Sequence, residues 1–568
     1  MTITFVTSWF DIYKDYIYDN KTKEWRLEMF KEILSTGINI CIYVSPEYKE
    51  DIEELSRRFE NLKLMRTMKL EETVAYKCCE GIEISLPQNR NEKKDTFEYM
   101  VLMNSKIEFT GDVARKNPFN STHFAWIDFS ISYMIRNKDT TLTYLKYLSE
   151  RDFKERFFYI PGCVSKYDGE NVDQFMNNVL WRFCGSFLML DRETLISLIP
   201  VYYTAFREFL MSDKRMIWEV NFWALLEYQG HWSPTWYSAD HNDSIIYVPS
   251  DSYIKCLDDK LEKTTYPYPE MTDTDLKFRP SSASYIFYKG KHILNTRLVN
   301  YSYCGNGNYN IDHPNNTLLS KNIRSYLDPE TFLPICYGEM YDTTVALESK
   351  DSYSHGLEDI RMFEHGGKLC FICTNVNYSP CGRNRMIMGE YHPEMLCYTN
   401  CRILEPPEFT WCEKNWIPLS TLMEGCDDRT ADNYFIYSWS PMKIGRITKD
   451  SNVLEIVKEY PIIAPNFHKV RGSTIFIEEE GRDTLLGVVH FSEDGMPRNY
   501  YHMLVRLEKG TYKPLEYSLP FCFQFFGVEF CIGFTIKGGK YVFWISRRDN
   551  NAMMVSIDRG EILVDRGF

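Results

Sequence analysis

The hydrophobic pattern divides the chain into two textures. In the first, apolar runs alternate with amphipathic stretches. Thr2–Val6 is a β-branched run, a helical stretch runs through Trp25–Leu34, and Ile38–Val44 reads as a second buried strand. Strand, helix and strand at this spacing predict a βαβ unit and a parallel sheet. A short helix is expected from Glu98 to Lys106, a buried strand in the apolar run Phe124–Ile131, a further strand within Trp181–Asp191 and an amphipathic helix over Trp218–Glu227. Residues 251–275 are charged and rich in Pro and Thr, and mark a boundary. Beyond it, short alternating strands such as Ser284–Tyr288, Lys368–Cys373, Leu485–His490 and Lys540–Ile545 recur between Gly, Asp and Asn turns. That pattern predicts a large closed all-β architecture, and without an exact repeat a diverged five-bladed propeller fits best. The expected organisation is therefore a multidomain chain: an α/β domain over 1–250, a linker over 251–275 and a propeller over 276–568.

Composition narrows the function classes. At 568 residues the chain exceeds a single core. A net charge of −14 without a basic run argues against a nucleic-acid partner. No stretch approaches the roughly 18 apolar residues of a membrane span, and the N-terminus lacks a signal-peptide pattern, so a cytoplasmic location is expected. Seventeen scattered cysteines suit reduced thiols. Cys370-x-x-Cys373 with Cys397-x-x-x-Cys401 has zinc-like spacing, but the first pair sits in a strand-like run where residues three apart face opposite sides. The 40 Tyr, 36 Phe and 12 Trp suit clefts in which sugar C–H faces pack on rings.

One carboxylate is conspicuous. Asp128 interrupts the apolar run at 124–131, and a buried charge costs several kcal/mol unless it is paired or binds a cation. Lys106 and Arg136 are candidate partners; a divalent metal is the alternative. Thr7, Ser8 and Asp11 follow the first strand, beyond whose carboxyl end ligands of open α/β sheets bind, although Ser8 and Asp11 would equally cap the next helix. Gly185 permits close backbone approach. Neither G-x-G-x-x-G nor a P-loop is present, which weakens dinucleotide and P-loop readings.

The order of short helix, Lys106, Asn117-Pro-Phe and Trp126-Ile-Asp128-Phe resembles the HtrL/YibB-type glycosyltransferases, a family with a GT-A-like, Rossmann-type nucleotide-sugar fold. The resemblance implies that Asp128 holds Mn²⁺ or Mg²⁺ against the diphosphate of a UDP- or GDP-sugar. It further implies that His241 completes the metal site, with Asp240 or Asp243 as alternatives. Lys106 and Trp126 would then lie at the donor, Gly185 would line the acceptor side and Glu219 would be the general base.

A second resemblance covers about 275–568. Gly356-Leu-Glu-Asp-Ile-Arg361 is similar to the G-x-E-D-P-R motif of β-mannoside phosphorylase and β-1,2-mannosyltransferase propellers, with Ile360 in place of proline. Asn295-Thr-Arg297, Glu413-Lys-Asn-Trp, Val488-Val-His490 and Gly527-Val-Glu529 follow in the family's order. By this resemblance Asp359 is the general acid or base, flanked by Glu358 and Arg361, while Arg297, Lys414, Arg471 and His490 hold phosphate or sugar hydroxyls. The family's phosphate-holding H-R-P is replaced by Tyr437-Ser-Trp-Ser-Pro-Met-Lys443, which puts phosphate as co-substrate in doubt.

Together these features lead to the expectation of a two-domain glycosyltransferase acting on a glycan or glycoprotein acceptor, with the propeller as a second transfer site. The alternatives are a propeller that is a phosphorylase or hydrolase, pairing Asp359 with Glu529, or one that binds glycan without turnover.

Overall fold

The computed structural model describes residues 1–13, 21–266, 276–305, 308–350, 353–379, 382–419, 432–495 and 498–568. The chain forms two compact units, Met1–Tyr253 and Ile254–Phe568. The last part of the expected linker, 267–275, lies outside the described residues.

The first unit is built on a mixed seven-stranded sheet. Its strands are β1 (Ile3–Trp9), β2 (Asn39–Val44), β3 (Leu62–Thr67), β4 (His123–Ile127), β5 (Phe158–Gly162), β6 (Phe187–Asp191) and β7 (Thr235–Ser238). They lie in the order β3-β2-β1-β4-β6-β5-β7. The central strands β1, β2 and β4 are fully or nearly fully buried, which explains their continuous apolar runs. β1 pairs in parallel with β2 and with β4, while β6 runs antiparallel to β4 and β5. Connections leave β1 toward β2 on one side and return to β4 on the other, so the sheet has a topological switch point between β1 and β4. Ligand crevices of open α/β sheets form beyond the carboxyl ends of such strands. The helix Phe97–Asn104 passes through Ser105 into a second, Lys106–Lys116, close to the expected short helix.

The second unit is a five-bladed β-propeller. The inner strands are Arg279–Tyr288, Glu358–His365, Ile417–Leu419, Arg471–Gly472 with Thr484–Glu493, and Glu529–Lys537. Ring closure recruits β8 (Glu262–Thr264), which pairs antiparallel with Ser556–Met554 as the outer strand of the last blade. Residues 262–264, expected within a linker, are thus an integral strand of the propeller. A disulfide joins Cys256 to Cys522 inside the same unit. The expectation of uniformly reduced thiols is corrected for this pair, while the other described cysteines are free. No described helix is long and apolar enough to cross a membrane.

Candidate functional sites

A cavity of about 950 Å³ opens at the switch point, lined by residues from the ends of β1 and β4 and from the helix Lys23–Leu34. Ser8, Asp11, Trp126 and Asp128 all line it; Thr7 is buried within β1 and does not. One wall is aromatic: Trp9 stacks on Tyr48 at 3.7 Å and on Phe129 at 4.7 Å. The cavity also carries Arg26 and Lys94, neither of which pairs with a carboxylate among the described residues. Burial holds the Arg26 guanidinium below its ordinary value, while the nearby phenols of Tyr13, Tyr48 and Tyr133 act the other way.

Asp128 lies just past the end of β4 rather than inside the strand, and of its candidate partners it meets Lys106. Its side chain is 37% exposed toward the cavity, and its Oδ1 accepts from Trp126 Nε1 at 2.8 Å and lies 3.3 Å from Lys106 Nζ. Lys106 is buried, and its ammonium also donates to the Gly185 carbonyl at 2.8 Å and to Glu219 Oε1 at 2.9 Å. Burial alone would depress this amine, but Asp128 and Glu219 outweigh it and hold it above the ordinary lysine value. Glu219 is itself only 6% exposed and sits behind the cavity wall, tied to Lys106. Gly185 allows this approach, since a Cβ there would lie 2.2 Å from Glu219 Oε1 and push the carboxylate off Lys106. Lys106 therefore fastens β4, the 185 turn and the helix Glu219–Tyr228 together.

His241 lies elsewhere. It sits near the Cys163 and Cys184 sulfurs, with its ring edge on Trp181, and shares no three-ligand group with Asp128 among the described residues. Asp243 is engaged by the backbone amides of Arg136 and Asn137 and by the Thr141 hydroxyl. Cys370, Cys373, Cys397 and Cys401 form no ligand group there either.

In the propeller, residues from separate blades form one cluster. Gly356, at φ +90° and packed so that a Cβ would meet the Ser320 carbonyl at 1.9 Å, leads into a register shift between Glu358 and Arg361. Asp359 adopts a left-handed φ of 55°, an unusual conformation for aspartate that orients its side chain locally. Its Oδ1 accepts from Ser282 at 2.7 Å and from Arg297 at 3.3 Å. Arg297 reaches Glu358 with its other terminal nitrogen at 3.3 Å. Arg361 bonds the Ser473 carbonyl at 2.5 Å and Asn415 at 2.9 Å, and Ser473 bonds His490 at 2.8 Å. The fingerprint residues 297, 358, 359, 361 and 490 are thereby linked directly or through Ser473. Burial would raise the Asp359 carboxyl, but Arg297, Arg361, the Ser282 hydroxyl and Lys414 hold it below the usual aspartate value. Burial, with His502, Arg361 and Arg471 adding in the same direction, holds the His490 imidazole well below its ordinary value.

Asp549 joins this cluster although its sequence context gave no sign of it. It sits in a turn with a left-handed φ of 58°, accepts from Tyr309 at 2.7 Å and senses Arg297, Asp359 and Lys414. Burial raises its carboxyl, with Asp359 adding in the same direction. The buried Glu529 carboxylate accepts from the amides of Phe523 and Gln524, and burial pushes it up to about 7. Lys443 pairs with Glu459 at 3.5 Å on an outer part of its blade.

The family described as "Bacterial protein of unknown function (HtrL_YibB)" matches residues 70–214. No curated protein matches the chain. Among solved structures, a β-1,2-mannobiose phosphorylase from Listeria innocua aligns at 11% identity and a TM-score of 0.37, covering 53% of this chain and 97% of that one. A mannose phosphorylase from Leishmania mexicana in complex with phosphate aligns at 14% identity and a TM-score of 0.33, covering 54% and 92%. A glycosyl hydrolase from Bacteroides ovatus aligns at 9% identity and a TM-score of 0.35, covering 55% and 92%.

Proposed function

We propose that this chain is a carbohydrate-active enzyme whose propeller cluster cleaves or transfers a glycosyl group. The observation that carries the reading is a pair of carboxylates, Asp359 and Asp549, displaced in opposite directions while sharing Arg297 and Lys414. Such divergence assigns acid and base roles. Asp549, the carboxyl that burial and Asp359 raise above its ordinary value, serves as the proton donor to the departing glycosidic oxygen. Asp359, held as the anion, activates water or an acceptor hydroxyl, or attacks the anomeric carbon directly. Arg297 stabilises charge beside Asp359, and Arg361 fixes the backbone that presents it. The outer position of Lys443 and its pairing with Glu459 favour water or a sugar hydroxyl over inorganic phosphate as the attacking group. The test is turnover of aryl glycosides and manno-oligosaccharides by the full chain, with and without phosphate. Asp359→Asn and Asp549→Asn are each expected to reduce it by about 10²–10⁴-fold. Unchanged turnover in Asp359→Asn overturns the reading.

The first unit supports a second reading, transfer from a UDP- or GDP-sugar to a glycan or glycoprotein. It rests on Arg26, a half-buried guanidinium without a described carboxylate partner in the wall of the switch-point cavity. A diphosphate would supply the missing negative charge. Mn²⁺ or Mg²⁺ fits the donor set, because such cations take one or two carboxylates plus phosphate oxygens. Asp128 and Asp11 both line the cavity, and Asp128 Oδ2 carries no hydrogen bond from the described residues. Bound there, the ion would neutralise the leaving diphosphate. Lys106 and the Trp126 indole N–H both hold Asp128 Oδ1, which leaves Oδ2 for a ligand. Donor hydrolysis with and without Mn²⁺ tests this, and survival of metal-dependent cleavage in Asp128→Ala refutes it.

A further inference from the structure

The carboxyl ends of β5 and β7 and the turn before β6 bring two thiols and an imidazole together, outside both sites described above. Cys163 directly follows β5, and its amide donates to the Trp181 carbonyl at 2.8 Å. The Cys184 amide returns a bond of 2.7 Å to the Pro161 carbonyl, so the two cysteine segments lie side by side. Their closeness depends on Gly162, where a Cβ would sit 1.8 Å from the Arg182 carbonyl. The Gly162 carbonyl in turn accepts from the Ala239 amide at 2.9 Å, which places His241 over the same point.

We propose that Cys163, Cys184 and His241 form a binding site for a thiophilic divalent cation of the Zn²⁺ class. Their ligand atoms all lie within 4.8 Å of one another, and the two sulfurs are 3.8 Å apart. A tetrahedral centre with Zn–S bonds of 2.3 Å has a sulfur–sulfur edge of about 3.8 Å. Two thiolates and one imidazole select Zn²⁺ over Mg²⁺ or Mn²⁺, which prefer oxygen donors. Binding forms two metal–sulfur bonds and one metal–nitrogen bond and releases the two thiol protons to solvent. Asp240 is the nearby carboxylate: its Oδ1 accepts from the His241 amide at 2.7 Å and lies 3.6 Å from Nδ1, within a small shift of the carboxylate–imidazole contact common behind metal-bound histidines. Three protein ligands leave the fourth tetrahedral position to water or to a substrate oxygen. The site is independent of the glycosyl-transfer readings, because neither Asp128 nor Asp359 belongs to it.

The experiment uses the reduced full chain with Zn²⁺ and Co²⁺ as probes. Metal content after dialysis is measured together with the thiolate-to-cobalt charge-transfer absorption. One ion per chain and a tetrahedral cobalt spectrum are expected. Cys163→Ser/Cys184→Ser should lose both. His241→Ala, at an exposed position, should keep the fold and bind more weakly, and Asp240→Asn should weaken affinity by about 10–100-fold. Absence of a cobalt–thiolate band, or a band unchanged in the double serine variant, overturns the proposal. So does a Cys163–Cys184 disulfide that persists in reductant and excludes the metal.

Discussion

Replacing Lys106 by methionine tests the internal logic of the first unit. The substitution keeps the apolar stem and removes the ammonium that bridges Asp128, the Gly185 carbonyl and Glu219. The two carboxylates then diverge. Asp128, at 37% exposure, can recruit water, whereas Glu219, at 6%, is stranded. Removing one partner of a buried pair costs about 3–5 kcal/mol, so Glu219 dominates the loss. At about 1.4 kcal/mol per decade this is a 10²–10³-fold or larger rise in opening. Hydrogen exchange at the β4 amides reads that opening within the unit itself, without assuming that the whole chain unfolds in one step. The loss should shrink at about pH 5 relative to about pH 8, because a stranded carboxyl is buried more cheaply as the neutral acid. In the unaltered protein, Lys106 is held above the ordinary lysine value, so its contribution is fully present at neutral pH and is lost as pH rises through the elevated value. Adding Glu219→Gln to Lys106→Met should recover more than half of the loss. A cost below about 1 kcal/mol, or a double variant no better than the single, refutes Lys106 as the fastener.

Other expectations concern separate features. Glu529 is raised to about 7 in the folded state, so the unfolded chain holds fewer protons between its ordinary value of 4.5 and that point. Its contribution to stability therefore falls as pH rises through this window, and Glu529→Gln should flatten that slope in urea titrations. The same variant should leave turnover within a few-fold of the parent if Glu529 serves the backbone of 523–524. Arg26→Ala should weaken binding of a nucleoside diphosphate by about tenfold or more, as expected for a charge-assisted contact of roughly 1.5–3 kcal/mol, measured by calorimetry. Gly162→Ala should destabilise the first unit markedly, because its Cβ would collide with backbone rather than with a movable side chain.

Local signals were legible in the sequence and long-range ones were not. The apolar runs placed β1, β2 and β4, and the lone carboxylate among them singled out Asp128, which pairs with Lys106 and lines the cavity. The short alternating strands led to the five-bladed propeller, and its acidic hexapeptide carries Glu358 and Asp359, which meet Arg297. Arg26 escaped notice because a cation on an amphipathic helix ordinarily faces solvent. Asp549 sits in an Arg-Asp-Asn turn whose composition suits any hairpin. Glu529, paired with Asp359 in the hydrolase alternative, accepts from the Phe523 and Gln524 amides, and sequence order does not distinguish a carboxylate that faces the cluster from one that caps backbone amides. Cys163, Cys184 and His241 are brought together by sheet order, which no local spacing encodes.

The strand that closes the ring has a bearing on how the protein is made. β8 is synthesised before any blade, yet its register partner, Met554 for Thr264, is about 290 residues downstream. At roughly 5–20 residues per second, a ribosome needs about 15–60 s to deliver that partner. During that interval the early strand waits without its strand partner, and the last blade is joined to it only once Met554–Ser556 has emerged. Arg297 and Asp359 emerge well before Asp549, so the cluster stays incomplete until the turn that carries Asp549 has left the ribosome.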